Sequence, residues 1–264
     1  MPPCWPVPID DGAPGATRSL HRDTLRSNRC TSRGIDFGRR APTRQHAGVR
    51  ELNGVVVVVV GATGGLGGAI VDELRSRGSV VLGAGRHGPD IVADLRDSHA
   101  GDAVVRGALG MQGRLDGVVN AAGIVAFGDL VSTDPAVMEE LFLTNALGPL
   151  WLARAVLPTL AESKGFFATI SGVVAEKSLA DLVPYCASKA AISHAIPGLR
   201  REARRWGVHV ADFRPPHTET GLVDRAIAGT APTFGPGLDP VFVAKRMVEA
   251  IVADEPELAS TDFG

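Results

Sequence analysis

The apolar positions of this chain fall into short unbroken runs separated by stretches of helical period. Residues 55–60 are six consecutive valines. A β-branched run with no polar alternation suits a strand covered on both faces, as in a parallel sheet. The run ends in Gly61-Ala62-Thr63-Gly64-Gly65-Leu66-Gly67-Gly68, and the pattern over residues 69–77 is then helical. Apolar runs return at 79–83, 91–93, 115–119, 166–170 and 208–213, with helical patterns near 98–111, over 135–157 and around Tyr185. Strands alternating with helices of this length predict an α/β domain: a doubly wound parallel sheet between two helical layers, three layers in all.

Ligands of such sheets bind beyond the carboxyl ends of the strands. Gly61, Arg86, Asn120, Ser171 and Pro215 each stand just past a predicted strand, so five exits line one crevice. Glycines between strand and helix permit a tight turn and close backbone approach, and leave the first N–H groups of the helix aimed at an anion. A dinucleotide is the expected guest; a purely structural turn or another phosphate-bearing ligand are the alternatives. The turn is not a P-loop, because no Lys-Ser or Lys-Thr follows the glycines.

Tyr185 is the only tyrosine in the 264 residues, and Lys189 follows four positions later. On a helix these two lie on one face, so phenol and ammonium can converge on one bound molecule. A nearby cation favours the phenolate, and such a pair can exchange a proton with a carbonyl or alcohol oxygen. The alternative is an ordinary helix carrying Tyr and Lys at a common spacing.

Residues 1–50 differ from the rest. They hold nine arginines, no lysine, four aspartates and six prolines, and no apolar run able to build a core. Such a segment cannot offset its ordering entropy by burial, so it is expected to be a disordered extension preceding a single domain over 51–264. Dispersed aspartates and prolines argue against a nucleic-acid arm or a targeting peptide. Cys4, Cys30 and Cys186 have no metal-ligand spacing and the seven histidines form no cluster, so no metal site is expected. With no secretory signal and no 18-residue apolar span outside the glycine-punctuated core, a cytoplasmic protein without membrane or nucleic-acid partners is expected.

Taken jointly, these segments resemble the short-chain dehydrogenase/reductase family over essentially all of residues 52–250. The family's glycine turn is matched by Gly61, Gly65 and Gly67, its N-N-A-G element by Asn120-Ala121-Ala122-Gly123, and its P-G-x-x-x-T segment by Pro215 to Thr220. The resemblance implies a Rossmann-like fold and an NAD(P)-dependent oxidoreductase interconverting an alcohol and a ketone or aldehyde. It implies Tyr185 as general acid/base and Lys189 as the residue that binds nicotinamide ribose and lowers the tyrosine pKa. Asn145 falls where the family holds a proton-relay water. The implied cofactor contacts are Gly61, Thr63, Gly64, Gly65, Leu66 and Gly67; Arg86, Asp94 and Leu95; Asn120, Ala121, Ala122 and Gly123; Tyr185 and Lys189; and Pro215, Thr218 and Thr220. A homodimer or homotetramer is implied as well.

Two departures qualify that expectation. The family's catalytic serine, thirteen residues before the tyrosine, is Gly172 here, and Ser171 stands one position early. Adjacent side chains of an extended backbone point to opposite faces, so Ser171 replaces the missing donor only if the loop is shifted. Losing one such donor costs on the order of 3 kcal/mol in the transition state. A non-catalytic dinucleotide-binding protein therefore stands as the alternative to an active enzyme, with a nucleotide-sugar epimerase or dehydratase a third reading. Pro197 predicts a kink or break in the Tyr185 helix before Leu199.

For the cofactor, Gly85-Arg86-His87 replaces the acid that would accept the adenine-ribose hydroxyls of NAD, so NADP is favoured over NAD. The stretch 221–240 predicts a helix followed by a flexible lid, with Leu222, Val223, Ile227, Phe234 and Leu238 walling an uncharged pocket for a small apolar alcohol or carbonyl compound.

Overall fold

Residues 50–264 are described in the computed structural model of the protein; residues 1–49, and with them most of the predicted extension, lie outside the described residues. The valine run forms β1 (Val56–Val60), every residue of it buried. Its side chains alternate: Val58 and Val60 enter the core on one face of the sheet, Val57 and Val59 the core on the other. This two-sided burial is why the run lacks polar positions, each buried valine contributing about 1.5–3 kcal/mol of transfer free energy.

Around β1 the chain lays down α1 (Gly65–Ser76), β2 (Val80–Gly85), β3 (Ile91–Val92), α2 (Ala100–Gln112) and β4 (Gly117–Asn120). The second half adds β5 (Phe166–Ile170), α5 (Val183–Ala203), β6 (His209–Phe213), α6 (Pro240–Val252) and β7 (Glu257–Leu258). The seven strands are all parallel, in the order β3-β2-β1-β4-β5-β6-β7. Winding reverses between β1 and β4, the place where such sheets open a crevice. The register levels the strand ends there: Val60 pairs with both Ala84 and Asn120, and Asn120 pairs with Thr169.

The predicted helix over 135–157 is three pieces: α3 (Pro135–Phe142), a π-helical turn (Leu143–Leu147) and α4 (Gly148–Ser163). Taken as one run, Pro135–Ser163 is long and apolar enough to cross a membrane by length and composition, but Leu152, Val156 and Leu160 of this run are core residues packed on the sheet. The predicted break at Pro197 is absent, since α5 continues unbroken to Ala203. Ile192 and Ile196, both buried just ahead of the proline, anchor the helix on the core and offset a penalty of about 3 kcal/mol.

The chain end beyond β6 departs from expectation too. No helix forms after Gly221 beyond a 3-10 turn at Val223–Arg225, whereas α6 begins at Pro240, capped by Asp239, which accepts from the Val241 N–H at 2.8 Å. At the other end Arg50 already belongs to the fold, its guanidinium 2.9 Å from Asp254.

Candidate active site

The turn after β1 is shaped by what its glycines touch. A Cβ on Gly61 would lie 2.7 Å from the backbone nitrogen of Ala122, and φ there is +87°. A Cβ on Gly67 would overlap the Gly61 carbonyl, and one on Gly65 would stand 2.6 Å from the carbonyl oxygen of Thr220. The turn is thus pressed between the β4 exit and the segment after β6. Gly64 caps α1 without any side chain, and no acidic residue occupies the first turn. The N–H groups of Gly65, Leu66 and Gly67 belong to that turn, whose donors have no intrahelical acceptors, and it opens on the crevice with its dipole favouring an anion.

At the β4 exit the two asparagines act on the backbone. Asn120 is buried; its Nδ2 donates to Thr169 Oγ1 at 3.2 Å and its Oδ1 accepts from the Ala122 N–H at 3.3 Å. It shapes the turn from behind the crevice wall. Asn145 also lies behind the crevice wall, within the π-helical turn. Its Oδ1 accepts from the Ile124 N–H at 3.0 Å, and its Nδ2 donates to the Ile124 carbonyl at 2.9 Å and to Ser188 Oγ at 3.1 Å. One side chain thereby ties α5, the π turn and the segment after β4.

Tyr185 and Lys189 stand one turn apart on α5, both bordering the crevice. Lys189 is only 7 % exposed, and its Nζ donates to the Ile170 carbonyl at 2.9 Å. Gly123 makes this possible: a Cβ there would approach that Nζ to 3.0 Å. Burial lowers the Lys189 pKa to about 8, against the field of Asp212, which favours its protonation. Burial, and secondarily the neighbouring Cys186, push the Tyr185 phenol well above its ordinary range. Desolvation is the larger of these two effects on the phenol.

The structure also corrects the expected candidacy of Ser171 as proton donor. Ser171 is fully buried and its Oγ donates to both carboxylate oxygens of Asp212, at 2.7 and 2.9 Å. Gly172 occupies the donor position with φ +79° and ψ 166°, a conformation essentially reserved for glycine.

At the β2 exit Arg86 is exposed, borders the crevice and has no ion-pair partner among the described residues. Asp94 is held by Arg96, which forks onto it at 2.6 Å and keeps its carboxyl below the ordinary range, while reaching Glu140 at 3.2 Å. Leu95 is buried beneath Gly148, the first residue of α4.

Apart from Asn120 and Asn145, every site residue expected from the sequence borders one cavity of about 530 Å³. Past Tyr185 its walls are apolar: Val125, Phe127 and Leu182 with Val174, Leu222, Val223 and Phe234. The predicted wall residue Leu238 packs elsewhere, in the core under α6, with Thr218 bridged to it. The expected flexible lid is tied down by two backbone bonds, Ile227 N–H to the Val125 carbonyl and Phe127 N–H to the Ala228 carbonyl, both 2.9 Å. Sequence reasoning missed Val125 and Phe127, although both directly follow Gly123 at a strand exit, where apolar residues line a pocket.

Residues 55–230 match the family described as short chain dehydrogenase. The chain belongs to that family. It is thus, in general terms, an NAD(P)-dependent oxidoreductase. Among curated relatives, a dehydrogenase/reductase SDR family protein 7-like of Anopheles gambiae is 29% identical over 245 residues, spanning 81% of this chain and 77% of that protein. An uncharacterized oxidoreductase of Staphylococcus aureus is 28% identical over 217 residues, spanning 76% and 92%. Among solved structures, a short-chain dehydrogenase from Streptomyces avermitilis superimposes with TM-score 0.70 at 27% identity, covering 80% of this chain and 91% of that one. A 3-ketoacyl-(acyl-carrier-protein) reductase from Brucella melitensis, complexed with NADH, gives 0.72 at 20% identity over 81% and 100%, a likeness of fold.

As a short-chain dehydrogenase the protein keeps the tyrosine and lysine of the resemblance on one helix face and lacks the serine. The neighbouring serine does not fill that vacancy, because its hydroxyl is spent inside the sheet.

Proposed function

We propose that the protein interconverts a small apolar alcohol and its ketone or aldehyde by hydride transfer with a nicotinamide dinucleotide, NADP favoured, Tyr185 serving as general acid and base. The observation that carries this reading is the position of the chain's single tyrosine, at the junction of an apolar chamber and the crevice opened by the glycine turn. The glycine turn fits such a group: side chains at Gly61 or Gly65 would push the turn off the β4 exit and the Thr220 segment that hold its shape, and the uncapped start of α1 suits a diphosphate. When bound, the dinucleotide supplies hydride exchange at its nicotinamide.

The residues do the rest. Tyr185 holds at its phenolic oxygen the proton that the substrate oxygen gains on reduction and loses on oxidation. Lys189 offers an ammonium to the ribose hydroxyls and, as a cation one helical turn from Tyr185, favours the phenolate form. Asn145 fixes the π turn over which a relay water would be held. Phe127, Leu182, Leu222 and Phe234 exclude water and select an uncharged substrate. Arg86, unpaired at the β2 exit, reads a 2'-phosphate.

The bare Gly172 position and the inward Ser171 favour a second reading, a dinucleotide-binding protein without turnover. A panel of apolar alcohols, ketones and aldehydes run with NADP and NAD separates the two. Turnover that vanishes in Tyr185→Phe supports the enzyme; cofactor binding with no turnover across the panel, or turnover unchanged in Tyr185→Phe, overturns it.

A further inference from the structure

A buried polar cluster behind the crevice floor is centred on Asp212, in β6. Its carboxylate is 1 % exposed and accepts on both oxygens: from Ser171 Oγ at 2.7 and 2.9 Å, from Ser193 Oγ at 2.6 Å, and from Arg214 Nη1 at 3.2 Å. These donors come from three places. Ser171 is the first residue past β5, Ser193 belongs to α5, and Arg214 follows β6. Ser193 stands one helical turn beyond Lys189 on the same face. Ile170, whose carbonyl receives the Lys189 ammonium, immediately precedes Ser171. One carboxylate therefore grips both elements whose relative position sets Tyr185 and Lys189.

We propose that Asp212 is the positioning residue of the acid/base pair: through Ser171 and Ser193 it locks the end of β5 to α5, and it supplies the counter-charge for the buried ammonium of Lys189. Its meaning for catalysis rests on the oxidoreductase reading above; the geometry does not. A buried ammonium with no opposite charge in reach is costly. Beside the Lys189 ammonium stand the Ile170 carbonyl from β5, Gly123 and the uncharged Asn145 from the π turn; Tyr185 lies one turn back on its own helix, and Asp212 in β6 acts on it through space. Asp212 is the anion whose field holds the proton on Lys189 against desolvation. Around Asp212 the cations are Arg214 and, from α5, Arg200. Glu176 and Glu257 lie beyond Arg214, taking its remaining nitrogens at 2.7 and 3.4 Å.

The chain has four lysines, Lys164, Lys177, Lys189 and Lys245, so 13Cε-lysine NMR of the cofactor-free protein reads Lys189 directly, with Lys189→Ala assigning its resonance. Asp212→Asn keeps the shape and removes the charge; it is expected to raise the acid dissociation constant of Lys189 at least tenfold and leave the other three unmoved. An unchanged Lys189 titration in folded Asp212→Asn protein overturns the proposal. Should that variant fail to fold, the Asp212 13Cγ resonance of the wild type is expected to step where Lys189 loses its proton, and the step to vanish in Lys189→Ala; a wild type without the step overturns it equally. Ser193→Ala retains the charge, so it is expected to preserve the titration while speeding amide exchange across 185–189 at least fivefold; unchanged exchange overturns the lock. None of these readings needs substrate or cofactor, so they fail independently of the oxidoreductase assignment, which the substrate panel tests.

Discussion

Lys189 Nζ stands 2.9 Å from the carbonyl oxygen of Ile170, the last residue of β5. The ammonium is thus held on the backbone, and its burial costs stability. With a folded pKa of about 8 against the ordinary 10.5, the unfolded chain binds more protons between those values, so this group makes stability rise with pH across that window. At neutral pH the cost is roughly 3 kcal/mol. Above the ordinary tyrosine range Tyr185, raised by burial, acts in the opposite sense, because the unfolded chain then loses its proton first. Urea midpoints of wild type and Lys189→Met, compared across the window from 8 upward, are expected to show the rise in the wild type alone.

Tyr185 being the only tyrosine, the phenolate absorbance band of the whole protein reports one group. In the cofactor-free folded protein the band is expected to emerge only well above the ordinary tyrosine range, and to move to lower pH when NADP is added. A phenol titrating at its ordinary value without cofactor would contradict the desolvation at the crevice wall.

Restoring a serine at position 172 is not expected to rescue a lost donor. The nearest atoms to a Cβ there, the Pro215 carbonyl and Val174 Cγ2, are 4.0 Å away, so space is not the obstacle. The backbone is: at φ +79° and ψ 166° an L-residue is strained by about 1–3 kcal/mol. Gly172→Ser and Gly172→Ala should lower the denaturation midpoint alike, with no gain in kcat for the serine. A serine variant both faster and as stable as wild type would show that the peptide turns over readily.

The glycine turn offers a matched pair of substitutions. A Cβ on Gly65 meets the Thr220 carbonyl at 2.6 Å, so Gly65→Ala displaces the segment after β6 and is expected to weaken dinucleotide binding at least tenfold in calorimetric titration. Gly68 has its nearest neighbour, the Ala62 carbonyl, at 3.6 Å and lies inside α1. Gly68→Ala should bind normally and gain about 0.5–1 kcal/mol of stability.

Cofactor choice is expected to depend on Arg86. Arg86→Ala should weaken NADP at least tenfold while leaving NAD within twofold, since only the former carries the phosphate that a charge-assisted bond would hold. Equal losses for both cofactors would instead mean that the side chain covers the adenine.

The parts legible in the sequence are those set by local pattern. Val55 to Val60 announced a central parallel strand because two-sided burial leaves no room for polar residues, and the glycine spacing announced the turn because each glycine answers a backbone contact. The illegible parts depend on distant partners. The π turn at Asn145 follows from a side chain bonded to Ile124, twenty-one residues away, and nothing in its neighbourhood signals it. Pro197 breaks a helix in isolation but not one anchored by Ile192 and Ile196. Two-residue β7 is too short to show a period, and it forms by pairing with β6. Strand alternation says that Ser171 points away from the face of position 172, but not that a buried aspartate forty-one residues on will claim its hydroxyl.

The backbone at Gly172 bears on the history of the chain as well as its chemistry. A lost serine at an ordinary β-region position could return by a single substitution. Here return places an L-residue in a glycine-only conformation, so the first step back lowers stability and reversion is separated from the present sequence by a valley. Such a lineage improves, if selected for turnover, by elaborating the apolar chamber or recruiting a new donor, and a directed-evolution experiment should accumulate substitutions there before any at position 172.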